Sequence, residues 1–255
     1  MNQFFNLKRF GLLVRKHWAD NKKRYGLTVL ALVGLFTIWF TFNLMVENHN
    51  RLSADMQQIT YFFSLFIVGT LYASQYYRDL SWRARGINFL LLPASAFEKF
   101  LCSLLYNVVI FFTVFTTTFY LVDFVMIALH NNFPVVKAPE EKAVLNNVLQ
   151  ATFFEYPNKT VIYIVMLFFV VQSVFLFGSV LFRKYSFVKT FISGFVILIT
   201  FMCLIFLFIR NYLLQHSLSE YDLPEWSRIM IPVLLYAIAP IFWIMTYRKL
   251  KAKQV

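Results

Sequence analysis

LCSLLYNVVIFFTVFTTTFYLV, residues 101–122, contains no charged residue. As a helix it measures about 33 Å, enough to cross the ~30 Å hydrocarbon layer of a bilayer. Its approach is equally legible. Pro93 breaks the preceding apolar run. Ser95 stands three residues before Glu98, the spacing of a capping box, which predicts a helix that starts near Ser95 and runs straight into the apolar stretch. Working outward, five more runs of similar length lie at 27–46, 58–77, 160–182, 187–209 and 229–247. The fold class expected is all-α: a polytopic membrane protein with six transmembrane helices in a single domain, 1–255.

The basic residues fall mostly on one side of this map. Lys8, Arg9, Arg15, Lys16, Lys22, Lys23 and Arg24 precede the first span. Arg78, Arg83, Arg85 and Lys99 lie between spans two and three. Arg183, Lys184 and Lys189 lie around the turn between spans four and five. Arg248, Lys249, Lys251 and Lys253 follow span six. That side holds 18 Lys and Arg, the other 6. Cytoplasmic loops carry the excess, so both termini are expected in the cytoplasm.

Composition excludes several classes. The chain is 60% hydrophobic and only 14% charged, which does not fit a soluble domain of 255 residues. The net charge of +12 sits beside span ends, where it sets topology and meets anionic headgroups. It therefore points to membrane lipid as a partner and not to nucleic acid. The first apolar run is full length, starts late and lacks a small-residue cleavage site, so it reads as a retained span and not as a signal peptide. Cys102 and Cys203 stand at different depths and read as unpaired packing residues.

Residues 1–26 read as an N-terminal amphipathic interfacial helix. Phe4, Leu7, Phe10, Gly11, Val14 and Trp18 share an arc, with Lys8, Arg9, Arg15 and Lys16 outside it. Tyr72, Tyr76 and Tyr77 read as an aromatic girdle closing span two. Residues 78–100 form a cytoplasmic elbow, apolar in the middle and basic at its flanks. On the outer side, 130–159 is the longest loop, with a short helix expected at 139–151. The segment 210–228 is expected to rest on the outer surface. Asp123 falls at the outer end of span three and reads as a solvated helix end.

No Gly-rich nucleotide loop, HExxH or GxSxG occurs. His49, His130 and His216 share the outer side, but isolated loop histidines read as solvated, so no metal is expected. The chain is expected to hold no catalytic residue and no cofactor of its own. Polar residues within the spans are mild. Thr113 and Thr117, one turn apart, could line a path or simply pack. No ionisable residue stands at the centre of a span, which disfavours an ion-coupled carrier. Energy for any transport would have to come from another polypeptide.

GINFLLLPASAFEKF, residues 86–100, resembles the elbow pattern of one family: a short apolar stretch, Leu-Pro, a small residue, then charge entering span three. The whole chain is similar in plan to the membrane (permease) subunits of type-two ATP-binding cassette (ABC) exporters, and its Phe-rich phrasing resembles Bacteroidetes members. The resemblance implies a bacterial inner-membrane protein that pairs with a second copy or a sister permease. A separate P-loop ATPase subunit would hold ATP and Mg. It implies that the elbow couples the two, through Arg83, Arg85, Leu92, Pro93, Ser95, Glu98 and Lys99, with Arg183 and Lys184 as the lesser contact. Thr113 and Thr117 are the path-lining candidates, and the cargo expected is amphipathic or lipid-like. The chain departs from the family in its long outer loop between spans three and four.

Two other readings fit the same residues. One is a non-transporting scaffold or sensor that binds a partner through 130–159. The other is an intramembrane enzyme acting on lipid, for which Arg78, Asp79 and Arg83 are the one charged cluster; charges beside a span end are ordinarily topological.

Overall fold

The computed structural model describes residues 5–46, 54–81, 83–132, 144, 159–182, 184–215 and 225–253. Among them there is no strand. The helices are α1 (Leu7–Val46), α2 (Ala54–Gln75), α3 (Arg83–Leu90), α4 (Ala96–Leu104), α5 (Phe111–Asn132), α6 (Lys159–Leu181), α7 (Ser186–Gln215) and α8 (Glu225–Ala252). A 3-10 turn, Tyr76–Ser81, follows α2, and a π-helical turn, Leu105–Ile110, joins α4 to α5. The expected helix at 139–151 and most of 130–159 lie outside the described residues, as does the centre of 210–228.

Among the described residues, three helices are long and apolar enough to cross a membrane: Leu7–Met45, Ala96–Asn132 and Tyr163–Leu181. Their outward faces are also apolar. Leu30, Ile38 and Met45 of α1 are exposed, with Leu121, Phe124 and Leu129 of α5 and Met166, Leu167 and Leu181 of α6. Water does not favour helices with so many exposed large apolar side chains, whereas lipid does. α2 is less apolar because it carries Gln57, Thr60, Ser64, Thr70 and Ser74, and all five are buried.

The chain divides into two compact units. The first is 1–69 with 93–165; the second is 70–92 with 166–255. The division passes through the elbow after Leu92.

The first unit is organised by aromatic rings. Phe36 and Phe40 of α1, Tyr61 of α2, and Phe115 and Phe119 of α5 are all buried. Phe36 meets Phe119 edge-to-face at 5.4 Å, and Tyr61 meets Phe119 the same way at 5.1 Å. Each such pair adds about 0.5–1.5 kcal/mol beyond burial. The Tyr61 hydroxyl lies 2.9 Å from Thr116 Oγ1, and Trp39 Nε1 donates to Thr60 Oγ1 at 3.1 Å.

In the second unit α6 and α7 approach closely. A Cβ built on Gly178 would stand 2.8 Å from Thr190 Cβ, inside contact distance. Phe175 stacks on Phe187 at 5.3 Å. The turn between these helices needs a left-handed residue, and Tyr185 adopts it with φ of 54°. Ser186 Oγ then donates to the Ser74 carbonyl at 2.7 Å, and Lys253 Nζ donates to the Val180 carbonyl at 2.6 Å. That cation sits at the C-terminal end of α6, where the helix dipole favours it.

Several expectations are corrected. The basic N-terminal segment and the first span are one uninterrupted helix, α1. Its inward face is Phe10, Leu13, Val14, His17, Asn21 and Tyr25, while Leu7, Gly11 and Trp18 are exposed. Half-buried His17 takes a contact position that apolar counting assigns to Trp18, because its ring packs on Tyr106 at 4.4 Å. Tyr77 is buried between Tyr76 and Phe89 and does not line an interfacial girdle. Asp123 is no helix end: α5 continues to Asn132, and Asp123 follows Phe115 and Phe119 at four-residue steps onto the inward face, where it is buried. Cys102 is buried as expected, but Cys203 is exposed.

The candidate coupling elbow and the joint at Glu98

The elbow is built by local rules. Gln75 ends α2, and the 3-10 turn bends at Tyr77, whose φ/ψ of −91°/19° is not helical. One short helix follows, α3, eight residues long. Pro93 cannot continue it. Ser95 then takes an extended conformation and caps α4: its Oγ accepts from the Glu98 N–H at 3.1 Å, and Glu98 Oε2 accepts from the Ser95 N–H at 2.9 Å. The expected capping box is therefore present in both directions.

The other oxygen of Glu98 was not anticipated. Oε1 accepts from the Asn6 N–H at 2.7 Å and from Arg9 Nη2 at 3.0 Å. Asn6 is itself the cap of α1: its Oδ1 accepts from the Lys8 N–H at 2.9 Å and the Arg9 N–H at 3.4 Å. The N-termini of two helices thus converge on one buried carboxylate, and the positive ends of both helix dipoles favour it there. Phe5 supports the joint by meeting Phe97 edge-on at 6.2 Å. One signal in the sequence pointed this way: Asn6 immediately before a helical run is an N-cap residue. Nothing local says which carboxylate it will meet.

Above the joint, Tyr106 donates its hydroxyl to the Val14 carbonyl at 3.0 Å, packs on His17 and stacks on Tyr25 at 5.8 Å. His17 Nε2 lies 2.7 Å from the Tyr25 hydroxyl. These contacts keep register along the two helices. From Asn6 to Val14 and from Glu98 to Tyr106 the chain advances by the same length, about 12 Å of helix, so the start of α1 keeps pace with α4. From Tyr25 to Phe36 and from Tyr106 to Phe115 the lengths are about 16 and 13 Å, so the upper half runs alongside α5.

The candidate coupling residues separate into groups. Ser95, Glu98 and Lys99 face inward, with Glu98 and Lys99 almost wholly buried. Leu92 is half-buried, and Pro93 is exposed. Lys184 is exposed in the turn between α6 and α7. The backbones of Arg83 and Arg85 lie in α3; their side chains, and Arg183, are outside what is described. Thr113 and Thr117 share the exposed face of α5, opposite Phe115 and Phe119, and Thr113 Oγ1 bonds its own helix at Val109 O, 2.9 Å away.

Among the described residues no group of three or more His, Cys, Asp or Glu is placed to hold a metal ion. Helices of membrane-crossing length, apolar outward faces and rings at the core define the class: an all-helical membrane-associated protein. Comparison with models of known families, with curated proteins and with solved structures finds no match to this chain.

Proposed function

We propose that the chain is the permease subunit of an ATP-binding cassette exporter of the bacterial inner membrane. It has six spans, with both termini in the cytoplasm and the basic half of α1 lying in the membrane interface. Two permeases, identical or sister chains, pair in the membrane, and a separate P-loop ATPase supplies ATP, Mg and the driving motion. The observation that carries this reading is the elbow: one short helix, α3, that follows α2, then Pro93, then a capped helix start at Ser95 that runs on to Asn132.

In this mechanism the ATPase grips the elbow from the cytoplasm through Arg83, Arg85, Leu92 and Pro93, with Arg183 and Lys184 as a second point. Closure of the ATPase displaces α3. The helix from Ala96 to Asn132, about 55 Å long, carries the displacement across the bilayer. Glu98 and Lys99 act from inside the permease, since neither reaches its surface. Thr113 and Thr117 face outward and would line a path shared with the second permease. An exposed face of Thr, Val and Leu suits an amphipathic or lipid-like cargo.

The test is co-purification from native membrane. The expected result is a P-loop ATPase bound to the chain, whose hydrolysis rises when both are reconstituted together. Arg85→Glu combined with Lys184→Glu should lower that stimulation roughly tenfold, because reversed charge on a docking face opposes association. A chain that never associates with an ATPase in native membrane would sink the reading.

A further inference from the structure

We propose that Glu98 is a positioning residue that fastens the N-terminal half of α1 to the head of α4, so that spans one and three are moved from the inner face through a single joint. What drives the joint rests on the export reading above; the joint itself rests on geometry alone.

Glu98 does more than a capping residue requires. A capping box uses one carboxylate oxygen, here Oε2 on the Ser95 N–H. Oε1 is committed to Asn6 and Arg9, which belong to a helix start about ninety positions earlier in the chain. No water-exposed group competes for it, because the Glu98 side chain is fully buried. The surroundings are arranged to hold the same contact: Phe5 on Phe97, and Tyr106 hydrogen-bonded to Val14 and packed on His17 and Tyr25.

A joint is also where movement can be admitted. The turn Leu105–Ile110 just beyond it is π-helical. A π-turn carries an extra residue per turn and often marks a place where a helix is adapted for function. The π-turn gives the α4–α5 helix a place to bend, and the joint makes α4 move with the unbroken α1 when it does. Without Glu98, α4 would still be a helix, but a push on the elbow would reach span three alone.

Hydrogen exchange on the full chain, in vesicles of phosphatidylethanolamine and phosphatidylglycerol, tests this without any transport assay. Glu98→Ala is expected to speed exchange in segments 5–12 and 94–100 together, each by roughly tenfold, with 111–127 unchanged. Glu98→Gln keeps one of the two acceptor oxygens and should show a smaller summed rise over the two segments. If only 94–100 responds, Glu98 is a local cap and the proposal is overturned. A short bismaleimide bridge between Phe5→Cys and Phe97→Cys, in the Glu98→Ala background, should restore protection to segment 5–12; failure to do so also overturns it. On the export reading the same bridge restores lost ATPase stimulation. Protection restored in a chain that binds no ATPase leaves the joint standing and removes the export reading.

Discussion

Arg9 Nη2 lies 3.0 Å from Glu98 Oε1, tying the first turn of α1 to the first turn of α4. The two partners are unlike. Glu98 is fully buried, whereas the Arg9 side chain is 38% exposed. The guanidinium is therefore partly screened by solvent, and most of the value of the joint lies in the backbone N–H groups of Asn6 and Ser95.

Stability should follow that division. Glu98→Ala is expected to cost about 2–3 kcal/mol, since it leaves two part-buried N–H groups without their charged acceptor. Arg9→Ala is expected to cost at most about 1 kcal/mol. Ser95→Ala, which removes only the cap, should fall between them at about 1 kcal/mol or somewhat more. Denaturant or thermal unfolding of the detergent-solubilised chain gives the ranking. A larger loss for Arg9→Ala than for Glu98→Ala would show that the ion pair, not the backbone acceptance, holds the joint.

Tyr61 carries both a ring and a hydroxyl into the first unit. Tyr61→Phe removes the 2.9 Å contact with Thr116 and keeps the rings, so about 1 kcal/mol should be lost. Tyr61→Ala removes its edge-to-face contacts with Phe62, Phe115 and Phe119 and leaves a cavity, at about 3–5 kcal/mol. Comparable losses in the two variants would mean that the hydroxyl, and not ring packing, dominates this core.

Much of this architecture was legible. Apolar run length located the helices, and Ser95 with Glu98 located the start of α4, because length and capping are local properties of a chain. What was not legible depends on partners distant in sequence. The rotation of α1 is set by Tyr106, which selects His17 over Trp18. Glu98 read as a surface contact because charge near a span end ordinarily is one; its second oxygen is taken by Asn6 and Arg9, which no local pattern connects to it. Asp123 read as a helix end because apolar counting stopped one residue before it, while the helix continued.

Gly178 makes the α6–α7 approach possible, and its side of the contact tolerates nothing larger. Gly178→Ala should destabilise by about 1–3 kcal/mol through overpacking against Thr190. Adding Thr190→Ala should recover only part of the loss, since the Thr190 Cβ itself stands 2.8 Å from the new methyl. Additive losses in the double variant, measured by unfolding of the full chain, would show that the two residues do not meet.

Asp123 is buried, and neither carboxylate oxygen has a hydrogen-bond partner among the described residues. Such a group is unfavourable where it stands, and an apolar residue of similar size removes the penalty. Asp123→Leu is therefore expected to stabilise the isolated chain by about 1–3 kcal/mol, and Asp123→Asn by less, because the amide is still unsatisfied. A carboxylate kept at a cost to the fold is one that function uses. On the export reading proposed above, the paired measurement is ATPase stimulation by the same variants. Higher stability with lower activity assigns Asp123 to function. Lower stability of both Asp123→Leu and the near-isosteric Asp123→Asn would contradict its isolation, because Asn adds no bulk that could account for the loss.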